Sequence, residues 1–312
     1  MKTSYFRIQT NCGSIWTAYD YLENGAERTP LVIVAPAYEK TARDSLTIAN
    51  YLVLNGFRVL RFDTRNSCGL SDGSIENFTM SSLVSDIGYV LEYAVAHLAG
   101  NCPLSIFTMS LSSRALIKYL SKKEDISNTI KVAISIVGVA DLQYTISQIV
   151  NDDVFKGYFM GKKYGINKLL TYDVDYDTFL KDAVECKFHS IDTAIDDAKQ
   201  IKIPYFGSIM VDQDEWILPE QQKAVHDALV NCTVEQYMIN GASHKMWKNP
   251  RSAELALRHG VRIIMKYILG QDINVENVIK PDITEIVKIN RLERTIILEE
   301  EKNLKEKRDI LC

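Results

Sequence analysis

Three side chains of the types that perform nucleophilic catalysis follow one another along the chain in the order serine, carboxylate, histidine: Ser110, Asp214 and His244. A serine hydroxyl attacks a carbonyl carbon when a histidine accepts its proton and a carboxylate orients that histidine. Ser110 separates a short apolar run, residues 104–107, from residues 115–120, where apolar side chains recur at helical spacing. A sharp strand-to-helix turn exposes a hydroxyl and directs the next backbone N–H at an oxyanion. The pattern predicts a nucleophilic serine at residue 110.

The residues around this serine are not the glycines that such a tight turn usually carries. The turn is Thr108-Met109-Ser110-Leu111-Ser112, where the common pattern is Gly-x-Ser-x-Gly. A serine between a strand and a helix is also typical of an ordinary helix N-cap. The nucleophile assignment therefore depends on the rest of the chain.

The candidate base is selected from five histidines. His97 precedes the serine, and His189 falls in a region without a central strand. His226 and His259 lie within helical patterns, which predict packing or surface roles. His244 directly follows the last predicted strand, at the edge where open α/β sheets place their sites. His244 is the predicted base.

Two aspartates compete for the role of the acid. Asp212 and Asp214 both follow a predicted strand, residues 203–210, closely enough to reach the histidine. The apolar Ile217, three residues further on, favours Asp214 as the acid and leaves Asp212 as the alternative. Glu215 is interpreted as a residue of the loop or of the start of the next helix.

Two backbone N–H groups are expected to stabilise an oxyanion beside Ser110. One belongs to Leu111, directly after the serine, and the other to Ala37 or Tyr38, in the loop after an early strand. The Tyr38 side chain has no role in this prediction.

The elements that must position these residues alternate between strands and helices. Residues 6–9 and 15–19 predict an antiparallel hairpin at the N-terminus. After it, short apolar runs typical of buried strands alternate with amphipathic segments. This alternation predicts an α/β protein with a mostly parallel central sheet covered by helices on both faces. The predicted strands are residues 31–35, 57–62, 104–107, 132–139, 203–210 and 233–239, and the predicted helices include 46–53, 82–98, 220–229 and 253–269.

The alternation is interrupted once and ends before the C-terminus. Residues 141–190 are rich in Tyr, Asp, Lys and Gly and predict an inserted cap, so that residues 1–140 and 191–270 form the core. Residues 271–312 predict an amphipathic helical tail, which either packs on the body or binds a partner. Its apolar residues recur every three or four positions, at Ile283, Ile286, Ile289, Leu292 and Ile296.

Composition excludes several classes of function. The 312 residues carry a net charge of -4, which provides no basic surface for nucleic acid. Six cysteines are scattered without a Cys-x-x-Cys pair, which argues against a zinc site and a disulfide framework and favours a reducing cytoplasm. The N-terminus alternates like a strand and lacks the apolar segment of a signal peptide. The longest apolar runs are too short to span a bilayer, so we expect no membrane span.

Several segments resemble a known family. Asp63-Thr-Arg65-Asn-Ser-Cys-Gly69-Leu-Ser71 is similar to the Asp-x-Arg-Gly-x-Gly-x-Ser segment of α/β-hydrolases, and residues 69–80 resemble the bacterial-luminescence acyl transferases. These are the acyl-ACP thioesterases that feed the luminescence fatty-acid reductase. The similarity extends from about residue 30 to residue 295. Further matching segments are Asn55-Gly56-Phe57, Ser110-Leu-Ser-x-Arg114, Val137-Gly138-Val139, Asp214-x-Trp216-Ile217, Gly241-x-Ser243-His244 and Pro281-Asp282.

The resemblance implies the α/β-hydrolase fold and a serine acyl transferase or thioesterase. Its catalytic positions fall on Ser110, Asp214 and His244, the residues that spacing also selects. It implies that the serine takes a fatty acyl group from acyl carrier protein or acyl-CoA, without a metal or organic cofactor, beneath a cap that shelters the acyl chain. The resemblance also implies that the chain could bind an acyl-activating or reductase partner protein. Two alternatives stay open: a carboxylester hydrolase with the same three residues, and a non-catalytic binding protein of this fold.

The chain also departs from the family. The loop after the first central strand reads Pro36-Ala-Tyr-Glu-Lys-Thr, where the family has a segment resembling Ser-Gly-Phe-Ala-Arg-Arg. The cap sequence matches poorly. Acyl-chain length and the carrier of the donor therefore stay open.

Overall fold

Eight strands form the main sheet in the computed structural model, which describes residues 1–23 and 29–311. Their order is β1-β2-β4-β3-β5-β6-β9-β10; β7 and β8 pair with each other in a second sheet. Cys312, the last residue of the predicted tail, lies outside the described residues. The strands are β1 (Lys2–Thr10), β2 (Gly13–Tyr21), β3 (Leu31–Val34), β4 (Arg58–Phe62), β5 (Leu104–Met109), β6 (Ile130–Ile136), β7 (Ile166–Leu169), β8 (Tyr172–Asp175), β9 (Tyr205–Val211) and β10 (Thr233–Ile239).

The pairing directions confirm the predicted sheet. β1 pairs antiparallel with β2 around a tight connection, and β2 pairs antiparallel with β4. All other neighbours in the main sheet are parallel. The carboxyl ends of β3, β5, β6, β9 and β10 therefore meet at one edge, and this edge carries the predicted site residues.

Helices cover both faces of the sheet. Successive residues of a strand point to opposite faces, and in β3 Leu31 and Ile33 join one buried cluster while Val32 and Val34 join another. The first cluster includes residues of α2 (Met80–Ala94) and α3 (Leu111–Lys122), and the second includes residues of α1 (Leu46–Leu54) and α10 (Pro250–Ile264). The helices are α1 (Leu46–Leu54), α2 (Met80–Ala94), α3 (Leu111–Lys122), α4 (Glu124–Ser127), α5 (Leu142–Val150), α6 (Val154–Phe159), α7 (Tyr176–Glu185), α8 (Ile191–Lys199), α9 (Pro219–Asp227), α10 (Pro250–Ile264) and α11 (Ile283–Leu311).

One strand ends earlier than its apolar run predicts. The run suggests that β6 continues to Val139, but the strand stops at Ile136. Val137 adopts a φ of 43°, which no strand accommodates, and its N–H donates to the Ile209 carbonyl oxygen at 2.9 Å. The chain thereby leaves the sheet plane beside Ser110, and the Val139 N–H donates to the Ser110 carbonyl oxygen at 3.2 Å.

Residues 141–190, the predicted cap, form α5, α6, the β7–β8 hairpin and α7. Aromatic rings connect this segment to the body. The Phe78 ring, which precedes α2, lies 6.1 Å from that of Phe179 in α7 and 4.9 Å from that of Tyr38. The segment therefore packs over the loop that follows β3.

The C-terminal helix α11 is held by a buried charge. Arg61 of β4 donates two hydrogen bonds to Asp20 of β2, at 2.6 and 3.0 Å, and one to Glu293 of α11 at 3.0 Å. Arg61 is fully buried and Glu293 is 2% exposed. Ile283 and Leu292, which the apolar repeat predicted to pack, are 77% and 67% exposed. Ile286, Ile289 and Ile296 of the same repeat are half-buried, so the face of α11 that packs on the body carries part of the predicted apolar repeat together with this ion pair.

No helix in the described ranges combines the length and the apolar character needed to cross a membrane.

Burial of His226 predicts a pH dependence of stability. This α9 residue is 6% exposed, its ring centroid lies 5.9 Å from that of Phe206, and burial lowers its pKa to about 4. Between the ordinary histidine pKa of about 6.5 and the lowered pKa of the folded state, His226 binds a proton in the unfolded chain but stays neutral in the folded chain. The free energy of unfolding should therefore fall as the pH falls from about 6.5 towards 4, by up to about 3 kcal/mol from this group.

Urea unfolding of the wild type and of His226→Gln between pH 7.5 and 4.5 measures this effect. The difference between the two proteins removes the contributions of carboxyl groups that titrate in the same range. We expect the variant to lose less stability on acidification than the wild type. Equal losses would contradict a neutral, buried His226.

Candidate active site

Ser110 occupies the strained turn that the sequence predicts. It follows the last residue of β5 and precedes the first residue of α3, with φ 54° and ψ −123°. A non-glycine residue with positive φ is uncommon and persists only where its surroundings hold it. Here the Ser110 N–H donates to the Ile136 carbonyl oxygen at 3.0 Å, and the Ser110 carbonyl oxygen accepts from Val139 and Ser113 N–H groups. Both backbone polar groups of Ser110 are therefore hydrogen-bonded, which holds the residue in this conformation.

The two residues that replace the usual glycines contribute hydrogen bonds to the turn. Thr108 Oγ1 donates to the Ile134 carbonyl oxygen at 2.8 Å and accepts from Ser113 Oγ at 2.9 Å. Ser112 Oγ accepts from the Met109 N–H at 2.9 Å and donates to the Met109 carbonyl oxygen at 2.8 Å. Both hydroxyls therefore form hydrogen bonds with backbone groups in and beside the turn that carries Ser110.

Ser110, His244 and Asp214 form a continuous hydrogen-bonded chain. Ser110 Oγ lies 3.0 Å from His244 Nε2. His244 Nδ1 lies 3.0 and 3.2 Å from the two carboxylate oxygens of Asp214. The His244 and Asp214 side chains are 4% and 1% exposed. With the Nδ1 proton donated to the carboxylate, Nε2 presents a lone pair to the serine hydroxyl.

The neighbouring acids have different partners. Asp212 Oδ1 accepts from the Gly241 and Ala242 N–H groups, at 2.7 and 3.3 Å, and so holds the loop that carries His244. Asp214 is the carboxylate that contacts the imidazole, as the sequence favoured. Its Oδ1 also accepts the N–H groups of Trp216 and Ile217, at 2.9 and 3.0 Å, which orient the carboxylate.

Glu215 and Trp216 complete the surroundings of the imidazole, and sequence reasoning assigned neither to it. Glu215 Oε2 accepts the His244 N–H at 3.0 Å, so the backbone of the histidine is held by the residue beside its side-chain partner. The Trp216 ring centroid lies 4.7 Å from that of His244. The one feature of the sequence that could have indicated these contacts is position, since both residues directly follow Asp214.

Leu111 and Tyr38, the predicted oxyanion donors, lie at the same edge of the sheet. Leu111 is the first residue of α3, where an N–H has no partner within its helix and the helix dipole favours negative charge. Tyr38 follows β3, which pairs in parallel with β5, and the Ala35 N–H donates to the Phe107 carbonyl oxygen at 2.9 Å. Their roles as donors stay predictions.

The Asp63–Ser71 segment holds the loops next to the site. Asp63 is 3% exposed and accepts the N–H groups of Ala42 and Leu70, both at 2.6 Å. Burial raises its pKa, while these two donors oppose the rise. Arg65 pairs with Asp86 of α2 at 2.7 Å, and burial raises the pKa of that carboxyl to about 6. This motif is structural and contributes no group to Ser110.

The remaining histidines lie elsewhere. The His97 ring is tilted against that of Tyr93, with centroids 4.6 Å apart, and His259 stacks on Tyr237 at 4.1 Å. His189 packs against Phe155 and Phe159 in residues 141–190. Across residues 1–23 and 29–311, no group of three or more histidine, cysteine, aspartate or glutamate side chains is arranged to hold a metal ion.

Comparison with known sequences identifies related proteins over most of the chain. A model of the acyl transferase family, described as "Acyl transferase", matches residues 11–309. An acyl transferase of Aliivibrio fischeri is 23% identical over 298 residues, which cover 91% of this chain and 90% of the relative. An acyl transferase of Photobacterium phosphoreum is 25% identical over 297 residues, which cover 90% and 87%.

Solved structures share the fold. Est1E from Butyrivibrio proteoclasticus, with ferulic acid bound, superposes with a TM-score of 0.68 at 16% identity, covering 85% of this chain and 100% of that one. The Pyrococcus furiosus esterase Pf2001 gives 0.60 at 14% identity, covering 86% and 93%. The α/β hydrolase GrgF from Penicillium gives 0.63 at 11% identity, covering 86% and 100%. The predicted α/β-hydrolase fold is confirmed.

Proposed function

The chain belongs to the acyl transferase family, and we propose that it is a serine acyltransferase or thioesterase that takes a fatty acyl group from a thioester. The observation that carries this proposal is the chain of contacts from Ser110 through His244 to Asp214. A hydroxyl, an imidazole and a carboxylate in this order form the machinery of acyl transfer through a serine ester.

The reaction begins with proton transfer from Ser110 to His244 Nε2 as Ser110 Oγ attacks the thioester carbonyl carbon. Asp214 holds the imidazole and stabilises the imidazolium that forms. The backbone N–H groups of Leu111 and Tyr38 donate to the oxygen that becomes negative. The carbon–sulfur bond then breaks, His244 returns the proton to the leaving thiolate, and the acyl group stays on Ser110 as an ester.

The second half of the reaction releases the acyl group. His244 takes a proton from water or from another acceptor, whose oxygen attacks the acyl-serine carbonyl carbon. The bond to Ser110 Oγ breaks, and the serine recovers its proton from His244. The acyl group leaves as a free acid or as a new ester.

We assign residues 141–190 as the cap, with residues 1–140 and 191–270 as the core. The aromatic contacts between Phe78 of the core and Phe179 of the cap support an apolar interior beside the carboxyl edge of the sheet. An acyl chain attached to Ser110 fits such surroundings because burial of its methylene groups is favourable. Acyl carrier protein and acyl-CoA are the two candidate donors.

Acyl-enzyme formation tests this function. The wild type is mixed with acyl carrier protein thioesters, CoA thioesters and p-nitrophenyl esters of the same chain lengths, and intact-protein mass spectrometry follows the enzyme. We expect one acyl group per chain from a thioester donor and none on Ser110→Ala. Acylation by oxygen esters alone would favour the carboxylester hydrolase. The absence of any acylation, together with no labelling of Ser110 by a fluorophosphonate, would favour a non-catalytic binding protein.

A further inference from the structure

The β7–β8 hairpin is fastened to the loop that follows β3. The Thr171 N–H donates to Glu39 Oε1 at 2.5 Å, and Thr171 Oγ1 donates to Glu39 Oε2 at 3.3 Å. The Tyr38 hydroxyl donates to the Leu169 carbonyl oxygen at 3.3 Å. Two consecutive residues of the loop therefore bind both sides of the hairpin turn, across more than a hundred residues of sequence.

Both partners hold a non-glycine residue in the left-handed region at this contact. Glu39 has a φ of 62°, and Leu170, between the two hairpin residues that form the hydrogen bonds, has a φ of 57°. Such conformations are disfavoured for residues with a side chain and are retained where the surrounding structure determines them. The contact therefore joins two turns, each of which contains a residue in this disfavoured conformation.

The contact lies at the carboxyl edge of the sheet, the edge that also carries Ser110. β3 pairs in parallel with β5, with Val34 opposite Phe107, so the two chains leave the sheet side by side. Glu39 lies five positions after Val34, and Ser110 lies three positions after Phe107. Glu39 also directly follows Tyr38, whose N–H is the proposed second donor to the oxyanion.

We propose that Glu39 is a positioning residue that holds the Tyr38 peptide in its oxyanion-binding orientation through Thr171 of the cap. This role rests on the proposed function. Glu39 does not touch the reacting atoms, and its carboxylate instead couples the hairpin to the loop that carries the donor. Because oxyanion donors act chiefly in the transition state, loss of the coupling lowers kcat more than it changes KM.

Steady-state kinetics on short-chain p-nitrophenyl esters test this role, since a short acyl group makes little use of an acyl-chain pocket. We expect Glu39→Ala to lower kcat by about 10- to 100-fold, the range expected when a reacting geometry is displaced by about 1 Å, with KM changed less than about threefold. Glu39→Gln retains an oxygen that accepts the Thr171 N–H and should recover most of the lost kcat. The pH dependence of kcat should keep its midpoint, because His244 and Asp214 are unchanged.

Asp173→Ala is the matched control. Asp173 is an exposed carboxylate on the same hairpin, paired with Lys168 at 3.6 Å, and should leave kcat and KM at wild-type values. If Glu39→Ala kept the wild-type kcat and lost only thermal stability, Glu39 would merely stabilise the hairpin turn, and the proposal would be overturned. Equal losses in Glu39→Ala and Glu39→Gln with a raised KM would also overturn it.

The same experiment separates this role from the function on which it rests. A wild-type chain without ester turnover or fluorophosphonate labelling contradicts the proposed function and, with it, the role of Glu39. Wild-type turnover that is insensitive to Glu39→Ala contradicts the role of Glu39 alone.

Discussion

Ser110→Ala should abolish acyl-enzyme formation and lower the turnover of acyl thioesters by at least about a thousandfold. In the proposed mechanism the substitution removes the atom that forms a bond to the acyl carbon, while His244 and the predicted oxyanion donors stay in place. Residual turnover over the uncatalysed rate is expected, because donors and binding act without the nucleophile. The measurement combines kcat from thioester hydrolysis with intact-protein mass spectrometry of the acyl group.

Ser121→Ala is the matched control for this substitution. Ser121 lies in the last turn of α3, where its Oγ donates to the Lys118 carbonyl oxygen at 2.9 Å, far along the helix from Ser110. It should keep wild-type kcat. Adding His244→Ala to Ser110→Ala should cost little more than Ser110→Ala alone, because the two residues act as a unit. Near-normal turnover by Ser110→Ala would remove the serine from the mechanism.

The second large effect is expected from Asp214→Asn. An uncharged amide leaves the shape of the site intact, but its N–H₂ group can donate to His244 Nδ1 and so favour the tautomer that carries the proton on Nε2. That nitrogen then cannot accept the Ser110 proton. In a serine protease the corresponding change lowers kcat about 10⁴-fold, and we expect a loss of about 10³- to 10⁴-fold here.

Asp212→Asn tests which of Asp212 and Asp214 is the catalytic acid, a choice that the sequence left open. The amide oxygen can still accept the Gly241 and Ala242 N–H groups, so the loop stays in place and kcat should fall less than about tenfold. Circular dichroism and thermal unfolding of both variants verify that each one is folded. A larger loss of kcat in Asp212→Asn than in Asp214→Asn would reassign the acid.

The residues of the candidate site could be selected from the sequence because the fold restricts where such residues occur. In a parallel sheet the carboxyl ends of strands meet at one edge, so a serine, an aspartate and a histidine that each follow a strand converge there. Ser110, Asp214 and His244 satisfy that condition, and the structure places them in hydrogen-bonding contact. Their positions after strands indicated Ser110 and His244, whereas Asp214 was only favoured over Asp212 by Ile217, and it is the contact with the imidazole that distinguishes the two.

The contacts that support the site were not predictable in the same way. The carboxylate of Glu215 binds a backbone N–H 29 residues away, and that of Glu39 binds one 132 residues away. Every residue except proline carries a backbone N–H, so the sequence does not indicate which of these groups a given carboxylate binds. The burial of Glu293 was not predictable for another reason. In a charged helix a glutamate is expected to face water, and the pairing with Arg61 beneath α11, which offsets part of the cost of burying the carboxylate, is a long-range contact.

Pairing of Glu293 with Arg61 also affects how the protein can fold during synthesis. The glutamate is translated 232 residues after the arginine, an interval on the order of 10 to 50 s at ordinary rates of elongation. During this interval Arg61 has Asp20 as a partner, and the surface that α11 later covers stays open to water and to chaperones. The pair of Arg61 with Asp20 can therefore form before α11 exists, whereas the third charge of this buried site is added only after Glu293 has been translated.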